Sequence, residues 1–456
     1  MNFDFDDQQL ELHATVKRAL TEALPFESHE SRGADDSIAW SLMADMGLFG
    51  MLVPEANAGM GLSLVDLVLI AEEFGGVLAP QSILDTLAAT DVIARHATDT
   101  QRANWLGSVA EGKLRIALAW HEPEAGYDPS RMSTTLSDQR LVGEKMLVAH
   151  AASADYLLVP FRYGDGTRTG LAMVDPKSAG VTFEASETLD PFCDYHRVVF
   201  SDVQIAPDHI LDGFAPQMAA GRLFDVTSAL QATLALGIAI ELVRRSAEYA
   251  RERIQFDKPI GSFQAIKHKC ADMYTLVEAA RAASYYAICA LSEAAEDGAR
   301  AASMAKAFCT DTAIKCCHDA IQVHGGMGFI EETGAAQYYR DARILTIYEG
   351  TTAIQANDLV SRKTARDAGA GVKALAALIE ATEQQLLLHS AKPMVDMAHQ
   401  LSQARQALLS ATDYIVRNVR QDPKAVFSGS VPYLKLAGLT LGGWQMACAM
   451  LRVSGT

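Results

Sequence analysis

The hydrophobic period of this chain changes twice, and that alternation limits its folds more than any other feature. Up to about residue 112 apolar residues recur at helical spacing. Leu12, Val16, Ala19, Leu20 and Ala23 form one stripe, with Asp6 and Asp7 ahead of it as start signals. Ser63 followed by Asp66 reads as a capping box for an apolar helix from Leu64 to Phe74, with Gly75 and Gly76 as its stop. From about 113 to 213 the pattern becomes short strands: RIALAW, DYLLVPF, TGLAMVD, GVTFE and HRVVFSDVQI, separated by turn signals such as GDGT and DPKSAG. Strands at this spacing predict an antiparallel barrel or sandwich. From about 214 to 365 long helices return, and RLFDVTSALQATLALGIAIELVRRSAEYARERIQF reads as one continuous helix. Two or three further helices fill 366–456. The expected architecture is a mostly helical α+β chain. It has a helical domain over 1–112, a β-barrel domain over 113–213, a helical domain over 214–365 and a helical appendix over 366–456.

Composition narrows the function. A chain of 456 residues exceeds one hydrophobic core, so several domains are expected. The formal net charge of −17 argues against nucleic acid and anionic membranes as partners. An anionic ligand would need a local basic or amide-lined pocket. The stretch from Ala229 to Val243 is apolar but broken by Gln231, Gly237 and Glu241, so it reads as a buried helix and not a membrane span. None of the seven cysteines shows CxxC spacing, which predicts buried thiols in a reducing compartment. The acidic start has no basic or apolar leader pattern, and a cytoplasmic location is the expectation.

Four segments carry candidate chemistry. In RDARILTIYEGTTAIQ, Glu349 lies among Ile347, Tyr348 and Thr351, where partial desolvation would raise its pKa and suit a general base. Gly350 permits close approach of a ligand. An exposed turn carboxylate would give the same spacing. In QVHGGMGF, Gly325, Gly326 and Gly328 end a helical pattern and offer backbone amides to a diphosphate, though a plain helix C-cap reads the same way. Arg253 and Phe256 are three apart, one suited to phosphate and one to stacking on a ring; a surface Arg over a core Phe is the commoner case. In AWHEPEAGYDPS, His121, Glu122 and Asp128 fit no standard metal spacing and predict a solvated loop.

Together these segments resemble one family. VPEANAGMGLS, EPEAGYD, GEKMLVAHAASADYLLV, VVFSDVQIAPDHIL, RERIQFDKPIGSFQAIKHKCADM, QVHGGMGF and YYRDARILTIYEGTTAIQ occur in the order and spacing of the acyl-CoA dehydrogenases, over about the first 360 residues. The chain is similar to divergent bacterial members. The resemblance implies FAD as cofactor, an acyl-CoA substrate and α,β-dehydrogenation to the 2-enoyl-CoA, as in fatty acid β-oxidation. Glu349 falls on the family's base position. The other position that carries the base in some members is Thr227 here, which cannot serve. Arg253, Phe256 and Gln264 fall where the family reaches the FAD of a neighbouring subunit; Gln322, Gly325, Gly326 and Thr351 fall on other FAD contacts. Asp225 matches an Asp near the CoA pantetheine, and Tyr348 and Gly350 flank the base beside the substrate. A shared FAD site implies a homodimer or homotetramer. An electron-transfer flavoprotein is the implied acceptor.

Departures from the family pattern fall mainly on the flavin loops. His121 and Tyr127 replace Thr and Ser in a loop that keeps Gly126 and Asp128. Leu147, Val148 and Ala149 stand where Trp-Ile-Thr/Ser is usual, leaving the Ala149 amide to reach the flavin. Ser228 replaces an Arg found near the CoA in many members. Two alternatives to an active dehydrogenase stay open on this reading: an oxidase using O₂, and a non-catalytic partner subunit of a heteromeric enzyme. The tail resembles that of longer members, and its apolar stripe of Leu436, Leu439, Trp444 and Met450 must be covered, by its own core or by a second subunit.

Overall fold

The computed structural model describes residues 5–25, 35–122, 131–166, 168–188, 190, 193–211, 216–327, 334–345 and 352–454. Its first helices begin where the sequence provides caps. Asp6 and Gln9 exchange hydrogen bonds at the start of α1 (Asp7–Ala23). After α2 (Ser37–Asp45), Ser63 and Asp66 close the same box on α3 (Leu64–Gly76). Helices α4 (Gln81–His96) and α5 (Asp99–Ala110) complete this part.

Next comes an eight-stranded sheet: β1 (Ile116–Leu118), β2 (Thr135–Ser137), β3 (Arg140–Ala149), β4 (Tyr156–Tyr163), β5 (Thr169–Val174), β6 (Val181–Ala185), β7 (Tyr195–Gln204) and β8 (Ile210–Leu211). The order is β6-β7-β3-β2-β4-β5-β8, with β1 also on β4. Most pairings are antiparallel, as the hairpin-like turns predict. β1 and β2 instead both run parallel to β4. Leu157, Val159, Phe161, Val198 and Phe200 fill the core of this sheet. β3 slips register against β7 between Lys145 and Val148. Leu147 takes φ +52° there, so the bulge re-aims the segment that ends at Ala149.

Helix α6 (Pro216–Glu252) then runs through the centre of the molecule. It packs against α3, α4, α7 (Gln264–Ser292) and α8 (Gly298–His324). Met218–Glu252 is long and apolar enough to cross a membrane, and here it is mostly buried inside the protein. Gly75 does not merely stop α3. A Cβ on it would lie 2.0 Å from the Leu234 carbonyl oxygen, and a Cβ on Gly237 would lie 1.8 Å from that of Glu72. The two backbones touch, and only glycine permits it. Gly237→Ala is expected to destabilise the fold by about 2–3 kcal/mol through overpacking, read as a lower denaturant midpoint with an unchanged m-value.

The helix expected to continue to Phe256 ends at Glu252. Phe256 and Asp257 take φ of +55° and +63°, turning the chain into a hairpin of β9 (Ile254–Gln255) and β10 (Lys258–Pro259). After α9 (Ala335–Leu345) and α10 (Thr352–Val360) come α11 (Ala370–Leu387), α12 (Lys392–Asn418), α13 (Pro423–Ser428) and α14 (Ser430–Ser454). α14 docks on α7, α8, α10 and α12 of its own chain. Trp444 is buried and donates from Nε1 to Thr382 Oγ1 at 2.7 Å. Leu436 and Met450 are partly buried, and Leu439 stays exposed. Intrachain packing thus covers most of the tail's stripe. All seven cysteines are free; four are buried, while Cys193, Cys270 and Cys448 are half-buried.

Candidate active site

The two loops singled out for a flavin meet across the sheet. His121 bridges Met146, whose amide donates to the His121 carbonyl at 2.8 Å. Three residues on, Ala149 is fully buried beside Tyr195, with Leu147 and Cys193 packed around them. A cleft of about 410 Å³ opens next to it, lined in part by Asp36, His150, Cys193 and Tyr195. His121 is buried, and its pKa falls to about 3 because burial and then the charges of Lys306 and Lys145 oppose protonation. It is a neutral imidazole at working pH. Trp120 beside it is buried, and its Nε1 has no hydrogen-bond partner among the described residues. Its ring packs on Phe224 of α6, centroids 5.4 Å apart.

His121 and Glu122 are buried and not solvated as expected, while Asp128 of the same loop lies outside the described residues. The Glu122 side chain is fully buried, as is that of Lys145, and Lys145 Nζ donates to Glu122 Oε1 at 2.7 Å. Ser133 Oγ donates to the other carboxylate oxygen at 2.8 Å. Burial pulls the Lys145 ammonium down to about 8, against the support of Glu122. Burial raises the Glu122 carboxyl, but Lys145 and the surrounding hydrogen bonds outweigh it and leave its pKa lowered. The pair locks the root of the loop that begins at His121.

Helix α6 supplies the facing wall. Arg222 donates from Nε and Nη2 to Asp91 of α4 at 2.8 and 3.0 Å, and from Nη1 to the Leu291 carbonyl at 2.7 Å, clamping α6 to α4 and α7. Burial raises the pKa of Asp225, while Lys363, 4.0 Å away, and Arg362 oppose the rise. Thr227, Ser228 and Gln231 follow on the same helix, all buried.

The other predicted positions lie apart from this wall. Arg253, Phe256 and Gln264 are exposed on the hairpin and the start of α7, with Phe256 84% exposed. Gln322, Gly325 and Gly326 are exposed at the end of α8, and Gly325 takes φ +61°. His324 stacks on Tyr249, centroids 4.4 Å apart, which ties that end to α6. Gly126, Tyr127, Tyr348, Glu349, Gly350 and Thr351 lie outside the described residues.

Sequence reading missed Asp85 on α4. It is fully buried in an apolar stretch, and burial lifts its carboxyl to about 7 despite hydrogen bonds from the Gln81 side chain and the Leu118 amide. A charged residue inside SILDTLAA was the available signal. Because this pKa is raised, its contribution to stability is complete below the ordinary carboxylate range and is lost as pH rises through about 7. Asp85→Asn is therefore expected to be more stable than the parent at about pH 8 and not at about pH 4. Denaturant melts at both values check this, and an equal difference at both would contradict it.

Comparison with known proteins agrees with this arrangement. Residues 6–113 match the model of the acyl-CoA dehydrogenase N-terminal domain, and 213–363 that of the acyl-CoA dehydrogenase C-terminal domain. Residues 372–455 match an acetyl-CoA dehydrogenase C-terminal-like domain. The 3-methylmercaptopropionyl-CoA dehydrogenase of Ruegeria pomeroyi is 34% identical over 91% of this chain and 78% of its own. The caffeyl-CoA reductase–Etf complex subunit CarC of Acetobacterium woodii is 33% identical over 69% of this chain and 86% of its own. The butyryl-CoA dehydrogenase structure from Megasphaera elsdenii shares 27% identity, with a TM-score of 0.71 over 78% of this chain and 97% of that one. An acyl-CoA dehydrogenase from Bacillus anthracis, complexed with FAD, has the same fold with a TM-score of 0.81 at 23% identity, over 99% of this chain and 82% of that one. Domain matches at both ends of the chain and a relative aligned along nine-tenths of it lead to one conclusion: this chain belongs to the acyl-CoA dehydrogenase family.

Proposed function

We propose that this enzyme dehydrogenates an acyl-CoA between Cα and Cβ, with FAD as cofactor, Glu349 as base and an electron-transfer flavoprotein as acceptor. The observation that carries the reading is the IYEGT segment, with its carboxylate, in a chain whose family is established. FAD, when bound, supplies the acceptor for the Cβ hydride. The residues present suit that group: a neutral His121 and an unpaired Trp120 Nε1 at the ring-binding loops, and the glycine-ended α8 with its positive-φ turn for the diphosphate.

The chain's own residues do the rest. Glu349 takes the Cα proton. A thioester α-proton is too weak an acid for a carboxylate unless the developing oxyanion is held, and the backbone amide of Glu349 is the donor for it. In this reading the half-buried carboxyl of Asp225 accepts a hydrogen bond from the pantetheine arm, and Thr227 lies toward the thioester. The membership of a relative in an Etf complex supports the choice of acceptor. Incubated with a CoA panel and an electron-accepting dye, the enzyme should yield a product lighter than its substrate by two hydrogens. A panel returned unchanged, or hydrolysed to free CoA, contradicts the reading.

The exposure of Arg253 and Phe256 supports a site shared between two copies, since neither is covered by its own chain. Arg253→Ala should lose FAD on dilution or gel filtration. As an exposed substitution it should change the stability of the apo-protein by no more than about 0.5 kcal/mol. Full FAD occupancy in the variant would contradict the shared site.

A further inference from the structure

Besides Ser246 Oγ further along α6, five buried polar atoms on α4 and α6 have no hydrogen-bond partner among the described residues: Asp85 Oδ2, Thr227 Oγ1, Ser228 Oγ, and both amide atoms of Gln231. All four residues are at most 3% exposed. Leaving one such group unpaired costs about 1–3 kcal/mol, so several on neighbouring elements mark a place suited to a polar occupant.

Their placement is directional. Phe224, Thr227, Ser228 and Gln231 follow i, i+3, i+4, i+7 spacing and form one stripe of α6. Phe224 at its head meets the ring of Trp120. On the other side, Asp85 is held by the amide of Leu118, two residues before Trp120. The Asp91–Arg222 clamp fixes α4 against α6. The stripe and Asp85 therefore bracket the end of β1. From Thr227 to Gln231 the helix rises about 6 Å, the length of a short acyl chain.

We infer that the acyl group of the substrate carries a neutral hydroxyl beyond Cβ, received by Asp85 and Gln231. This rests on the function proposed above, in which Asp225 and Thr227 stand at the thioester. A hydroxyl both donates and accepts, and so suits a carboxyl oxygen on one side and an amide on the other. A plain alkyl chain would leave Asp85 Oδ2 and the Gln231 amide unpaired. A carboxylate tail would face Asp85, the one titratable group among the four residues.

The test uses the FAD-loaded enzyme. Hydroxyl-terminated acyl-CoAs of four, five and six carbons are each compared with the isostere in which methyl replaces hydroxyl; amino- and carboxyl-terminated chains are added. Readouts are kcat/KM for flavin reduction and the rise in Tm on binding. A hydroxylated chain should win by about 10²-fold and give the larger rise in Tm. Asp85→Leu and Gln231→Leu should each shift the preference toward the alkyl isostere. An alkyl chain that equals or beats its hydroxyl partner overturns the inference and leaves the dehydrogenase intact. An amino or carboxyl chain that wins overturns its neutral character. Reduction by no acyl-CoA overturns the underlying reading, and the inference with it.

Discussion

Glu349→Gln should retain FAD and lose its reduction by acyl-CoA, with a fall in rate of about 10⁴-fold. Glutamine is nearly isosteric and keeps the backbone amide proposed to hold the thioester oxygen, so substrate affinity should change little. What disappears is the carboxylate proposed to accept the Cα proton. Thr227, at the other position where the family places a base, has no basicity to replace it. The expected signature is therefore a loss in kcat with KM nearly unchanged. Stopped-flow reduction of the parent and the variant under anaerobic conditions measures it. Normal reduction in the variant would move the base to another residue.

Lys145→Met should cost about 3–5 kcal/mol, because it leaves the Glu122 carboxylate buried without its cation. Both side chains are fully buried, and the pair closes at 2.7 Å. Much of that loss should return in Glu122→Gln/Lys145→Met, which removes both charges; a double-mutant cycle reads this as coupling. The lowered pKa of Glu122 sets the pH dependence. Its stabilisation is present above the ordinary carboxylate range and is lost as pH falls through the folded-state value. FAD retention should fall along with stability, because the pair anchors the loop that carries His121. Single and double variants equal in stability to the parent would contradict a structural role for the pair.

The order of helices, sheet and helices was legible because hydrophobic period is local, and so were the start signal at Asp6 and the capping box at Ser63, which are set within four residues. The end of α6 was not. RERIQF keeps helical spacing, and the break comes from Phe256 and Asp257 adopting positive φ, which propensity does not announce. The candidate site divides the same way. Conspicuous types such as His121, Arg253 and Glu349 stood out in the sequence. The Glu122–Lys145 pair joins residues 23 apart through a strand register that no local pattern fixes. Asp85 and Gln231 sit in apolar helices where spacing marks them as interruptions. That their polar atoms lie unpaired is a property of how α4 and α6 pack.

The central claim is α,β-dehydrogenation of an acyl-CoA on bound FAD, and the visible spectrum tests it most directly. The purified protein, reconstituted with FAD, is recorded without oxygen before and after each member of an acyl-CoA panel. The account predicts a flavin spectrum that bleaches with at least one thioester and recovers when an electron-transfer flavoprotein is added. A protein that stays colourless after reconstitution, or a bound flavin that no thioester bleaches, would contradict it.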